Sequence, residues 1–394
     1  MSTTSILTSL DQKLTDKYMS NISELKKYYM RMYDDKIHPL DKYICELIKI
    51  AALCHDIGHG PFSHVFDDYF LPSLGKNNDY CATHEERSGI ILEKIIKENN
   101  DLSCISDDEI SFMKNLINPK DEHTGFIYQM VSGSLDVDKY DYLMRDIYSI
   151  NFSAKIGITR LIHQVRVIDN QLAYPEQAID DIYNIYQTRY RMHRQVYCHK
   201  GVIAVQFAIV ELMILLDDIL HISDSITDMN KFVDLTDAYI FENIKSIKYF
   251  EDKLSNQQQI NYRKACDIVK SLETRKLYAV IVSVTLKNKI DREELLIGVA
   301  DDDKENILVF NGKIGFVSGN KPNPFDSIYV YRTKDSTTIT GKIEAVKKDK
   351  KDVSLLLPDS YQEYLLMIFY KDKTNKKKIV QLREHFNCVI HNLQ

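Results

Sequence analysis

The chain has 394 residues, 44% of them hydrophobic, enough to fill a sizeable core in one large domain or two. Its formal charge of −6 argues against a dominant nucleic-acid surface, and basic runs such as Lys376 to Lys378 read as solvated faces. Seven cysteines without a CxxC pair indicate neither a zinc cluster nor a disulfide framework, while thirteen glycines and eight prolines favour helix over a turn-rich all-β architecture.

MSTTSILTSLDQKL lacks a basic start and an apolar core, and no segment reaches bilayer-spanning length. The expectation is an intracellular protein, cytoplasmic or nuclear, with no membrane partner. Residues 1–38 read as a polar helix or arm. Pro39 then suits a first helical position, and Ile44, Leu47, Ile48, Ala51 and Ala52 recur at helical spacing up to His55.

That helix runs into LCHDIGHGPFSH, Leu53 to His64, which places His55, Asp56, His59 and His64 around Gly58, Gly60 and Pro61. Imidazole beside carboxylate is the donor pair that a hard or borderline divalent metal takes in hydrolytic sites. Small and turn-forming residues let the backbone fold the imidazoles toward one pocket. Asp67 follows closely, and THEER at Thr83 to Arg87 adds His84 and Glu85.

Amphipathic helices are expected at Ser88 to Glu98, Asp107 to Ile117, Phe126 to Ser132 and Ile179 to Leu220, with IVELMILLDDIL apolar nearly all round and so a buried core helix. Between them, SLDVDKYDYLMRD packs four aspartates, a lysine and two tyrosines into Ser134 to Asp146, costly to bury without a balancing cation. On a helix Asp138, Tyr142 and Asp146 fall at i, i+4 and i+8 and share a face. In TRYRMHRQVYCHK the same spacing puts Arg189, His193 and Tyr197 on one stripe with Lys200 close above, a set that can grip a polyphosphate.

The helical region closes near Arg275. Beyond it KLYAVIVSVTL, ILVFNGKIGFV and DSIYVYRTK are β-branched and aromatic runs, the second broken by an Asn-Gly hairpin signal at Asn311 and Gly312, and YQEYLLMIFY and IVQLREHFNCVI supply helices or a strand against that sheet. The fold class is mainly α, with an arm at 1–38, a helical core at 39–275 and a smaller C-terminal α+β lobe at 276–394.

LCHDIGHGPFSHVFD, DVDKYDYLMRD, the TR…H…Y.HK spacing and NPFDSIYVY occur in an order that resembles the HD-domain deoxynucleoside triphosphate triphosphohydrolases, most closely the eukaryotic type that couples a sterile-alpha-motif domain to an HD domain. The resemblance runs from about residue 40 to the end and implies a helical HD-domain core. It implies attack of water at the α-phosphate of a dNTP, giving deoxynucleoside and inorganic triphosphate. It also implies a divalent metal (Mn, Fe, Zn or Mg) on His55, Asp56 and Asp138, and a catalytic group of His64, Asp67 and His84 with His64 as proton donor. Lys139, Arg189 and His193 would hold phosphates, Tyr142 and Asp146 the sugar 3′-hydroxyl, and Tyr197 would crowd the 2′ position. Arg160, Lys200 and Arg275 match basic positions of the family's regulatory nucleotide sites.

The family's site begins with a further histidine on an upstream helix, and Gln12 falls near its place. A helix from Pro39 to His55, rising about 1.5 Å per residue, would keep His38 roughly 25 Å from His55. The expectation is therefore an altered, three-ligand metal site with reduced activity and no sterile-alpha-motif domain, in a homodimer through the helical core rather than a nucleotide-driven tetramer. The alternatives are a non-catalytic nucleotide-binding relative and a metal phosphohydrolase for another nucleotide.

Overall fold

Helix dominates the computed structural model, and the strands of its described residues form two small sheets. It describes residues 12–76, 79–120, 123–316, 323–332, 343–348, 353 and 360–393. The chain divides into two compact units: Met1–Gly58, Thr83–Arg189 and Val317–Asp359 form the first, and His59–Ala82, Tyr190–Phe316 and Ser360–Gln394 the second.

In the first unit the segment expected as a polar arm forms two helices, Gln12–Met19 and Lys26–Tyr33, that bury Met19, Tyr28 and Tyr29, with Leu25 buried in the 3-10 turn Ser23–Leu25 between them. Its tyrosines explain the packing: Tyr28 and Tyr29 are buried and Tyr33 half-buried, while the Tyr28 and Tyr33 hydroxyls donate to Asp41 and that of Tyr29 to Pro39 O. Asp41 also caps the next helix, accepting from Ile44 N at 3.0 Å, so this helix is Lys42–Cys54 and does not start at Pro39. Ile44, Leu47, Ile48 and Ala51 form its buried stripe, packed on the helix Asp107–Ile117. Capping boxes at Thr83/Glu86 and Ser106/Glu109 start the helices His84–Glu98 and Asp107–Ile117.

The four-stranded sheet of this unit runs Arg166–Ile168, Gln171–Pro175, Tyr329–Tyr331, Val346–Lys347. DSIYVYRTK, expected in the C-terminal sheet, supplies the third of these strands and pairs parallel with Gln171–Pro175, Ala173 opposite Tyr329; Thr333 and Lys334 of that run lie outside the described residues. The pairing is long-range, and the Tyr331 hydroxyl donates to Gln164 O at 2.7 Å to hold it.

In the second unit Ile281, Leu366, Ile368 and Tyr370 share a core with Leu382, Phe386 and Ile390 of the terminal helix Lys376–Leu393. Its sheet is antiparallel, with Gln362–Tyr370 central between Ala279–Leu286 and Ile307–Gly315. The opposite face of the central strand, Leu365, Met367 and Phe369, packs with Ile203 and Ala204. Two buried faces explain why YQEYLLMIFY is apolar without alternation.

Asn311 and Gly312 make no hairpin. They lie mid-strand, opposite Leu366 and Leu365; the Phe310 ring covers Gly312, where an added Cβ would stand 2.3 Å from Phe310 Cζ, and Asn311 Nδ2 donates to Ile290 O at 2.6 Å. Nor is Ile179–Leu220 one helix: it is Ile179–Met192, a π-helical turn at His193–Tyr197, and Lys200–Leu220, which restarts on a His199 cap. The last of these packs against Asn256–Glu273 and leaves Ile214 exposed, so IVELMILLDDIL buries one face rather than all of its surface. No described helix is long and apolar enough to cross a membrane.

Candidate metal centre

His55 and Asp56 follow directly on the helix Lys42–Cys54, where the chain turns through Gly58. That turn is clamped to the helix His84–Glu98: Gly58 N donates to Ser88 Oγ at 2.8 Å, and Arg87 Nε donates to Gly58 O at 2.8 Å from a fully buried side chain. A Cβ on Gly58 would lie 2.3 Å from both His84 O and Ser88 N, so only glycine allows this approach. His84 is the first residue of that helix, its Nε2 3.4 Å from Glu85 Oε1.

The third candidate ligand arrives from the helix Val137–Ser149, which carries Asp138, Tyr142 and Asp146. Buried Asp136 caps it, accepting from Lys139 N at 2.9 Å, and its other oxygen takes Lys139 Nζ at 2.6 Å; Nζ also donates to Gly133 O at 3.0 Å. Burial raises the Asp136 carboxyl above the usual carboxylate range, with Lys139 opposing the shift.

His55 decides what this arrangement can hold. Nδ1 faces the Ala52 carbonyl at 2.9 Å and must donate to it, which leaves the Nε2 lone pair of the neutral ring toward Asp56 Oδ2 and Asp138 Oδ1, each at 3.3 Å. Nε2 is buried and makes no hydrogen bond among the described residues. A lone pair facing two carboxylates is repulsive unless a cation sits among them. Burial lowers the His55 pKa, but Asp138 and Asp56 outweigh it and the net direction is upward, so the pocket favours positive charge at Nε2. One nitrogen and two oxygens, all within 4.8 Å of one another, fit a divalent metal, with Nδ1 oriented by a backbone carbonyl as ligating histidines require.

Around this centre in the first unit, Tyr142 is pushed up to about 12 by burial, against the Arg189 guanidinium, which bonds its hydroxyl and is itself buried. Asp146 lies 3.7 Å from Arg145 Nε, and Arg160 pairs with Asp181, Nε donating at 2.8 Å.

The remaining predicted residues belong to the second unit. His64 follows two non-glycine residues in the left-handed region, Phe62 at φ 61° and Ser63 at φ 54°, each costing about 1–2 kcal/mol. Phe62 N donating to Asp237 Oδ1 at 2.6 Å, and the Phe62 ring edge-on to Phe241 at 5.8 Å, hold that conformation. The His64 ring meets His59 edge-on at 5.0 Å, and Asp67 sits in a π-helical turn, Phe66–Phe70. His193 and Tyr197 bracket the other π-helical turn with their rings 5.0 Å apart, the single-turn irregularity frequent at functional sites. Lys200 opens its helix, and Arg275, at φ 54°, ends the helical segment.

The roles of Arg87 and Asp136 escaped the sequence reading, as did the close approach of Gly58 to the helix His84–Glu98. An Asp directly before an amphipathic run signals an N-cap and could have found Asp136; nothing local marks Arg87, whose partner is 29 residues away.

The HD domain family model matches residues 30–146. HD domain-containing protein L394 of Acanthamoeba polyphaga mimivirus is 39% identical over 332 residues, which cover 80% of this chain and 71% of that protein. This chain belongs to the HD-domain family. The Dictyostelium discoideum homolog of the deoxynucleoside triphosphate triphosphohydrolase SAMHD1 is 30% identical over 362 residues, 88% of this chain and 65% of that protein. Human SAMHD1 is 27% identical over 394 residues, 86% of this chain and 59% of that protein. The resemblance drawn from the HD motifs is borne out, and the chain spans less than two thirds of these two relatives.

Proposed function

We propose that this HD-domain protein hydrolyses deoxynucleoside triphosphates to deoxynucleoside and inorganic triphosphate. The observation that carries the reading is His55 Nε2, buried without a hydrogen bond and 3.3 Å from two carboxylate oxygens, in a relative of SAMHD1-type enzymes. His55, Asp56 and Asp138 would hold the ion, whether Mn, Fe, Zn or Mg. Bound there, it would supply Lewis-acid stabilisation of charge on a phosphoryl oxygen.

The chain's own residues take the other parts. His64 gives a proton to the departing oxygen, with Asp67 and His84 as the other members of the catalytic group. Lys139, Arg189 and His193 neutralise phosphates, Tyr142 and Asp146 receive the sugar 3′-hydroxyl, and Tyr197 crowds the 2′ position. Lys139 would exchange its bonds to Asp136 and Gly133 for phosphate oxygens, a cost that weakens its grip. Arg160, Lys200 and Arg275 would serve a regulatory nucleotide; of these, Arg160 would first leave Asp181. We propose a homodimer through the helical core.

Three protein ligands among the described residues hold an ion less firmly than four, so turnover should be slow. Chromatographic separation of products from dGTP with manganese tests this: triphosphate and deoxyguanosine should appear in equal amounts, stop on chelation and vanish in His64→Ala. Retained dGTP binding with no triphosphate release would overturn hydrolysis in favour of a non-catalytic nucleotide-binding protein. That second reading draws support from Lys139 and Arg160 both being ion-paired within the fold.

A further inference from the structure

The first unit holds a cavity of about 270 Å³ that shares Lys139 with the proposed phosphate set but is lined by none of His55, Asp56 and Asp138: it lies against the strand Gln171–Pro175, the turn before Tyr329–Tyr331 and the loop leading into the helix Val137–Ser149. This is below the ~300–1,000 Å³ of sites for drug-sized ligands, so its ligand is small. The polar groups on its wall divide into two sets. Gln129 is committed, Oε1 accepting from Leu172 N at 2.9 Å and Nε2 donating to Gln171 at 2.5 Å; so is Ser132, donating to the Leu116 and Ile117 carbonyls.

The second set consists of uncommitted donors. Ser134 and Ser327 line the cavity, and their hydroxyls make no hydrogen bond among the described residues. Lys139 uses two of its three N–H groups on Asp136 and Gly133 O, which leaves one at the cavity wall. Both oxygens of Asp136 are occupied by Lys139, and no carboxylate lines the cavity among the described residues. Leu135, Leu172 and the Tyr174 ring supply apolar wall.

We propose that this cavity is a second ligand site, which takes a small organic anion: a phosphate or carboxylate head on Lys139 Nζ and the Ser134 and Ser327 hydroxyls, with an apolar or aromatic body against Leu135, Leu172 and Tyr174. The donors match an acceptor-only head group, and hydrogen bonds to a charged head are the stronger kind. The ligand needs no metal.

Calorimetric titration of the full chain in excess chelator tests the site, with phenyl phosphate and benzoate as the two anionic probes and phenol as the neutral one. One anion should saturate a single site at least roughly tenfold more tightly than phenol, and the stronger of the two identifies the head group. The Ser134→Ala/Ser327→Ala pair, which changes little volume, should weaken that binding about tenfold, and Ser327→Leu should block it. Asp138→Ala should leave it unchanged. Absence of saturable binding by either anion, equal binding of phenol, or full binding in the double serine variant would overturn the proposal. Binding lost in Asp138→Ala but kept in the serine variants would move the ligand to the metal centre, overturning this site and leaving the hydrolase reading intact.

Discussion

Asp138→Ala should strip the divalent ion from the protein and lower triphosphate release from dGTP by at least about 10²-fold. The carboxylate supplies one of the two oxygens that the described residues place beside His55 Nε2, and the imidazole cannot compensate because its Nδ1 is tied to Ala52 O. Asp56 alone with one imidazole would leave the ion half hydrated and open to exchange. Asp138 lies in the first turn of its helix, but Asp136 provides the cap, so the helix should survive the substitution and circular dichroism should be unchanged. Elemental analysis of dialysed protein gives the metal content directly. A full equivalent of metal retained by Asp138→Ala would remove this residue from the ligand set.

Gly58→Ala should be the most damaging single-methyl change, with an expected loss of about 3–5 kcal/mol. The added carbon would stand 2.3 Å from His84 O and Ser88 N and 2.8 Å from Arg87 C, all of them backbone atoms of a packed helix. Relief requires the HD turn to back away, which breaks the Gly58 N bond to Ser88 Oγ and deprives the fully buried Arg87 of the Gly58 carbonyl. Gly75→Ala is the internal comparison: at φ 72° it pays only backbone strain, about 1 kcal/mol, because no described residue lies within 4 Å of the new carbon. Chemical denaturation of the two variants should differ by about 2 kcal/mol or more in that order. Equal losses would show that the turn is not held where the structure puts it.

Much of the first unit was legible because its signals are local. Apolar recurrence from Ile44 to Ala51 marked the HD helix, and the i, i+4, i+8 spacing correctly placed Asp138, Tyr142 and Asp146 on one helix. What misled was chemistry whose partner is distant. Pro39 looked like a helix start, yet Asp41 wins because it collects two tyrosine hydroxyls as well as the Ile44 amide. Asn311-Gly312 carries a turn signature, but pairing with Gln362–Tyr370 along its whole length overrides it. The left-handed pair Phe62 and Ser63, and the π-helical turns at Phe66–Phe70 and His193–Tyr197, have no compositional signature; all three carry or adjoin predicted functional residues. DSIYVY was readable as a strand, but its parallel partner some 150 residues earlier was not.

The claim that His55 Nε2 ligates a divalent ion between Asp56 and Asp138 is tested most directly by pulsed electron paramagnetic resonance on the manganese-loaded protein, grown with ¹⁵N-histidine. The account predicts a ¹⁵N coupling to the manganese from a single imidazole, present in the parent chain and absent in His55→Ala. A coupling that survives His55→Ala, or a manganese signal with no histidine coupling at all, would contradict it.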